Sequence, residues 1–266
     1  MSIYIIAEAG ASHGGHLEIA IDLIYAAKKA GADCVKFQAW KTDKFVALSS
    51  PQYKTFKRME FNEQHWGFIK GHCDEVRIDF LASAWDIESV DMLDKMGIKV
   101  FKIGSGDITH EPIVRHIGSK RKPVYLSTGM ATEEEIERAI GWLRGDKILL
   151  EIPVTIMKCT VDYPCADENT NLAGLECLKI FGSVGFSDHT KGHLAACMAV
   201  GLGASVIEKH FALVETDEAI SISQFAEFVK FVRRAERIMG SAELKTFTCE
   251  EKWKKIARRG ESGLRE

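Results

Sequence analysis

Eight times along the chain a short apolar run is followed by a longer amphipathic one, and this repeat limits the possible folds more than any other feature. The short runs fall at residues 3–9, 33–39, 79–84, 99–105, 123–127, 152–158, 184–187 and 205–210. Their length and apolar character predict buried strands. Between them apolar residues recur at helical spacing: Leu17, Ile21, Ile24 and Ala27 after the first run, and Phe225, Phe228, Val229 and Val232 after the last. Further helices are expected over 61–75, after Asp86 as N-cap, and over 112–118, 172–181 and 193–202. Thr132 with Glu135 forms a capping box for a helix whose inner face is Ile136, Ala139, Ile140 and Leu143. Strands alternating with helices predict a parallel sheet with right-handed crossovers. Eight such units in about 240 residues predict closure into an α/β (β/α)8 TIM barrel, with a doubly wound open sheet as the alternative. The barrel is expected over residues 1–240. Residues 241–266 are polar and basic, suited to a final helix or a frayed tail.

Composition narrows the function classes. The formal net charge is only -3, which gives no electrostatic case for nucleic acid or an anionic membrane. No basic-then-apolar leader opens the sequence, and no stretch approaches the roughly 18 apolar residues of a spanning helix. Seven scattered cysteines without a CxxC pair suit reduced thiols in a cytoplasmic protein.

In such barrels the chemistry sits at the C-terminal ends of the strands. Collected in strand order, those ends supply Glu8; Lys36 and Gln38; Ser83 and Asp86; Lys102, Ser105 and Asp107; Ser127 and Thr128; Lys158, Thr160 and Tyr163; Ser187, Asp188 and His189; Glu208, Lys209 and His210. Side chains two apart share a face, so Lys36 goes with Gln38 and Glu208 with His210, while Lys209 points the other way. A lysine inside an apolar strand is costly without a partner. Lys36 and Lys102 are so placed, and with the nearby serines they form a seat for phosphate and carboxylate. His189 and His210 end adjacent strands, which lie about 4.8 Å apart. Two imidazoles there can reach one divalent metal, with Glu8 or Glu208 assisting directly or through water. Histidine with oxygen ligands and open positions suits manganese, zinc or iron better than magnesium. Each histidine alone is more often a hydrogen-bonded rim residue. Their SDHT and EKHF settings on consecutive strands favour ligation. Cys159 reads as a small buried apolar residue, His13 as a loop closure, and His65, His72, His110 and His116 carry no assigned role.

Together the segments IAEAGASHGG, AGADCVKFQAW, FKIGSGDI, KPVYLSTGMAT, KCTVDYP, VGFSDHTKG and GASVIEKHF, spread over residues 5–211, resemble the sialic acid synthase family, including its legionaminate and pseudaminate relatives. The resemblance implies a barrel enzyme that joins phosphoenolpyruvate to an open-chain N-acetylhexosamine. The products would be a nonulosonic acid and phosphate. Lys36, Ser83, Lys102, Ser105, Ser127 and Ser187 would hold phosphoenolpyruvate. His189 and His210 would hold the metal, manganese first, with magnesium, cobalt or zinc as substitutes. Glu8, Tyr163 and Asp217 would meet the sugar. Gln38 and Glu208 complete the substrate-binding set, and Glu8 or Asp107 would handle protons. A homodimer is implied. The chain departs from the family pattern at Ser12 (Asn in the family), Asp107 (Glu), Ser83-Ala84 (Thr-Pro) and Val161 (a polar residue). It also shortens the segment after His210, and the family's C-terminal antifreeze-like domain is expected to be missing. Two other readings remain: a Schiff-base aldolase using Lys102 or Lys158, and a non-catalytic barrel subunit.

Overall fold

The computed structural model describes residues 2–145, 152–261 and 265. The eight apolar runs become strands β1 (Tyr4–Gly10), β2 (Cys34–Ala39), β3 (Asp79–Ala84), β4 (Phe101–Ile103), β5 (Val124–Ser127), β6 (Val154–Lys158), β7 (Ser183–Asp188) and β8 (Val206–Ala212). Each pairs in parallel with the next, and β1 also pairs with β8. The sheet therefore closes, as the repeat predicts, and the open-sheet alternative is excluded. β4 is shorter than expected because the chain leaves the sheet at Gly104 and enters a tight turn over Ser105–Asp107.

The outer ring consists of α1 (Leu17–Ala30), α2 (Glu63–Val76), α3 (Ile87–Lys95), α4 (Glu111–Ser119), α5 (Glu133–Arg144), α6 (Gly174–Leu178), α7 (Leu194–Gly201) and α8 (Ile222–Met239). Their inner faces follow the helical period. α1 buries Ala20, Leu23, Ile24 and Ala27, and α8 buries Phe225, Phe228, Val229 and Val232. The leucine, isoleucine, valine and phenylalanine side chains among them stabilise by roughly 1.5–3 kcal/mol each when fully buried, the alanines by less. The expected N-caps form: Asp86 accepts from the Ser89 N–H, and Thr132 and Glu135 make a reciprocal capping box.

Four short elements are not foreseen by the sequence pattern, one of them a helical turn over Asp167–Thr170. The connection after β2 folds into a single turn over Thr42–Phe45 and a two-turn helix over Tyr53–Met59, and a two-residue strand β9 (Ile220–Ser221) pairs with the end of β8. Beyond α8 the chain forms α9 (Glu251–Ala257); residues 262–264 and 266 of the expected tail lie outside the described residues. Among the described residues no helix is long and apolar enough to cross a membrane. All seven cysteines are free thiols.

Two-residue periodicity sorts the bore of the barrel into layers. Ile6, Cys34, Leu81, Met157 and Val206 pack together as one apolar layer, joined by Tyr4, Val100 and Tyr125. Gly185 makes room for it, since a Cβ there would collide with the Met157 sulfur and the Val206 carbonyl. Two residues further along the same strands, the side chains become charged or hydroxylated, with the Cys159 thiol as the exception, and a cavity begins.

Candidate active site

The cavity measures about 330 Å³ and opens at the C-terminal ends of the strands. Its floor carries four ionisable side chains, Glu8, Lys36, Lys102 and Glu208, none more than 3% exposed. The register that places Glu8 beside Lys36 on β1 and β2 brings Lys36 Nζ to 2.8 Å from Glu8 Oε2. Lys36 also donates to Ser83 Oγ at 3.2 Å and lies 3.7 Å from Glu208 Oε2. Lys102 donates to Ser127 Oγ at 2.6 Å and stands 3.8 Å from Glu208 Oε1, which accepts from Ser187 Oγ at 2.9 Å. Gln38 donates to Glu8 Oε1 at 3.2 Å. Each strand lysine thus has the partners its burial demands.

The pairing is incomplete. Among the described residues, Glu208 Oε2 is buried without a hydrogen bond, its Lys36 contact lying at 3.7 Å, and Glu8 Oε2 has only the Lys36 ion pair. Burial raises the Glu8 carboxyl despite the nearby Lys36. Burial also opposes ionisation of Glu208, but Lys102, Lys36 and His210 outweigh it and hold this carboxyl below the usual range. Lys102 is biased toward the neutral amine by burial, which Glu208 offsets only in part. Lys36 feels the same burial but is held charged by Glu208 and Glu8.

The turn after β4 provides the next wall. Ser105 Oγ accepts from the Gly129 N–H at 3.0 Å and touches Cys159 Sγ at 3.0 Å. A Cβ at Gly129 would fall 2.9 Å from that hydroxyl and 2.6 Å from Val161 Cγ2, so only glycine lets the backbone donor reach it. Asp107 lines the same wall, its carboxyl pushed up to about 6, chiefly by burial.

Across the cavity the rings of His189 and His210 have centroids 5.5 Å apart. Tyr163 covers both, 4.3 Å from His189 and edge-on to His210 at 5.6 Å. His189 Nδ1 is engaged by the Thr160 carbonyl at 2.6 Å, so it carries the proton and leaves Nε2 with its lone pair toward the cavity. Burial lowers both imidazoles' pKa values, His210 to about 3, which keeps them in the neutral form that ligates metal. This donor set suits two positions of a divalent ion. Among the described residues no three His, Cys, Asp or Glu side chains are spaced to hold a metal. The remaining coordination positions would be filled by water, by substrate or by Glu8 or Glu208, directly or through water.

The fold brings together Glu8, Lys36, Gln38, Ser83, Lys102, Ser105, Asp107, Ser127, Tyr163, Ser187, His189, Glu208 and His210 around one cavity. Asp217 is not among them. The turn between β8 and β9, closed by the Thr216 N–H to the Ala219 carbonyl, carries it to an exposed position on a neighbouring recess that shares His189. Lys158 faces a separate cavity between α5 and α6. The sequence reading missed the apolar wall of Phe45, Trp85 and Met130. Cys159, expected as a small buried core residue, instead lines the cavity with its thiol. Trp85 lies one residue past β3 and Phe45 in a loop turn, positions that strand periodicity does not reach.

A model described as the NeuB family matches residues 23–244. The chain is 36% identical over 270 aligned positions to the N,N'-diacetyllegionaminic acid synthase of Legionella pneumophila, covering 92% of this chain and 75% of that protein. It is 33% identical over 269 positions to the N-acetylneuraminate-9-phosphate synthase of Homo sapiens, covering 93% and 74%. Among solved structures it is similar to the N-acetylneuraminic acid (sialic acid) synthetase of Leptospira borgpetersenii in complex with citrate. That match has a TM-score of 0.87 at 28% identity, covering 98% of this chain and 94% of that one.

Proposed function

From the premise that the chain belongs to the NeuB family, we propose that it joins phosphoenolpyruvate to the open-chain form of an N-acetylhexosamine-type aldose, releasing phosphate and a nonulosonic 2-keto acid. The observation that carries this reading is one cavity with two kinds of wall. Two buried lysines among serine hydroxyls face two neutral imidazoles across it.

Lys36 and Lys102 neutralise the phosphate and carboxylate, with Ser83, Ser105, Ser127 and Ser187 as hydrogen-bond donors. Gln38 and Glu208 hold these groups in register. A divalent metal at His189 Nε2 and His210, manganese first, would supply Lewis acidity to the sugar carbonyl when bound. The enol carbon of phosphoenolpyruvate forms the new bond to the aldehyde carbon, whose oxygen takes up a proton. Water adds to the phosphate-bearing carbon, the C–O bond breaks, and phosphate departs. Glu8 and Asp107, both with raised carboxyl pKa values, are the groups suited to give and take these protons. Tyr163, over the histidines, would orient the sugar, and Asp217 would meet it only beyond the rim. Seven free thiols support a cytoplasmic setting, and a homodimer goes with this reading.

The test is phosphate release from phosphoenolpyruvate over a panel of aldoses with Mn2+. Turnover restricted to N-acylated hexosamines is expected. A folded protein that releases no phosphate with any of them would sink the proposal. In 18O-labelled water the label should enter the sugar acid, and label in the phosphate would exclude C–O cleavage. The bias of Lys102 toward a neutral amine favours a second reading, a Schiff-base aldolase. Borohydride trapping of pyruvate on Lys102 would select it.

A further inference from the structure

Behind the two histidines, on the outer face of the same strands, lies a second ion pair that the chemistry above does not use. Asp188 on β7 and Lys209 on β8 are register partners, 0% and 2% exposed, and each immediately precedes a histidine of the site. Lys209 Nζ lies 3.2 Å from Asp188 Oδ2, donates to the Thr190 carbonyl, and sits 5.5 Å from the centre of the Phe228 ring. The other oxygen of Asp188 accepts from the Thr190 N–H at 2.8 Å and from its hydroxyl at 2.7 Å. His189 is enclosed in this loop. Its own carbonyl accepts from the Cys165 N–H at 2.8 Å, and its Nδ1 is held by Thr160.

A barrel built only for stability does not require such a pair, because replacing a buried ion pair by apolar side chains of similar volume is often neutral or stabilising. What the pair supplies is direction. Lys209 bonds to the backbone just after His189 and to the side chain just before it, while lying next to His210 in the chain. The ends of β7 and β8 are therefore tied to each other at the level of the imidazoles.

We infer that Asp188 and Lys209 are positioning residues that fix the spacing and orientation of His189 and His210 for a shared divalent metal. The inference rests on the metal reading given under the proposed function. Partners that orient metal-ligating histidines are commonly worth ten- to a hundredfold in affinity. Asp188 and Lys209 would act through the backbone that carries the rings rather than through the ring nitrogens.

The experiment titrates the full chain with Mn2+ alone, followed by electron paramagnetic resonance, and with Co2+, followed by its visible spectrum, alongside thermal unfolding. The apolar double variant Asp188→Leu/Lys209→Met is expected to keep its Tm within about 4 °C of the parent. It should bind Mn2+ at least about tenfold more weakly, with a changed Co2+ band shape. Asp188→Asn, which keeps an oxygen for Thr190, should lose less. A folded double variant with the parent's Mn2+ affinity and Co2+ spectrum overturns the inference. If the double variant fails to fold, Lys209→Arg displaces the head group while keeping the charge, and unchanged Mn2+ affinity there overturns it equally. His189→Ala separates the two levels. If the parent chain shows no Mn2+ or Co2+ binding that this change abolishes, the metal reading falls and takes the inference with it.

Discussion

Two layers of the same barrel bore, two residues apart along the same strands, are built on opposite rules. The lower layer packs Ile6, Cys34, Leu81, Met157 and Val206 against one another and leaves no charge inside. The upper layer puts Glu8, Lys36, Lys102 and Glu208 where water scarcely reaches, with one lysine–carboxylate contact at 2.8 Å and the two to Glu208 stretched to 3.7 and 3.8 Å. Burying four ionisable groups with imperfect partners is costly. The strands gain no stability from it that another apolar layer would not supply. The difference between the layers therefore separates what closes the barrel from what the barrel is for. Substitutions in the upper layer should change chemistry with little loss of fold, and those in the lower layer the reverse.

The sharpest way to break this contrast is Lys102→Met. It removes a buried cation whose amine is already biased toward neutrality, and Glu208 keeps Lys36 as a partner. The rate of phosphate release, as kcat/KM, should fall about 10³-fold, while urea unfolding moves little or shows a gain. Retained activity, or a collapse of stability, would mean that Lys102 belongs to the scaffold. The converse substitution is Leu81→Ala, at a side chain with no solvent exposure. Stability should drop by about 2–5 kcal/mol with activity per folded molecule unchanged. An activity loss larger than the folded fraction explains would merge the two layers into one unit.

The layered plan was legible in the sequence because it follows from period two. Once Lys36 and Gln38 share a face, and Glu208 shares one with His210, strand register brings them to one cavity, and Lys209 must face outward, where the structure has it. What was not legible depends on connections. Phe45 and Trp85 reach the cavity through loop turns, and Asp217 is carried away from it by a turn whose course no periodicity sets. Period two sets the face of Lys209, but its pairing with Asp188 needs register across two strands, which one strand's pattern does not contain.

His13 tests whether the boundary between layers extends into the first loop. The sequence reading treats it as a loop closure. It is fully buried, its ring stacks on Phe61 at 4.2 Å, and its Nδ1 accepts from the Gly15 N–H at 3.0 Å. Burial, reinforced by His16, lowers its pKa to about 4. The unfolded chain, with histidine near 6.5, therefore binds this proton first as pH falls. His13 costs no stability above pH 6.5 and progressively more between 6.5 and 4, up to about 3 kcal/mol. His13→Gln keeps an acceptor for Gly15 and cannot be protonated. Denaturation measured from pH 7 to 4 should show a flatter profile in the variant, and parallel profiles would place His13 outside the acid response.

Asp107 should give the smallest effect and the one with opposite sign. Its carboxyl, raised to about 6 by burial against the opposing pull of His110 and Lys102, is harder to ionise in the folded chain than in the unfolded one, where a value near 3.8 applies. Stability is then full below about pH 4 and declines as pH rises toward 6. The shift of about two units corresponds to at most about 3 kcal/mol, and nearer 2 once its partial contact with solvent is discounted. Asp107→Asn should remove that decline, making the variant more stable than the parent at pH 7 and equal to it near pH 4. Because the side chain lines the upper layer, the same change should also erase any limb near pH 6 in the kcat/KM profile for phosphate release. A variant that gains stability at pH 7 but keeps the limb assigns the proton to Glu8 instead. One that loses stability at pH 7 contradicts the burial cost on which the contrast between the layers rests.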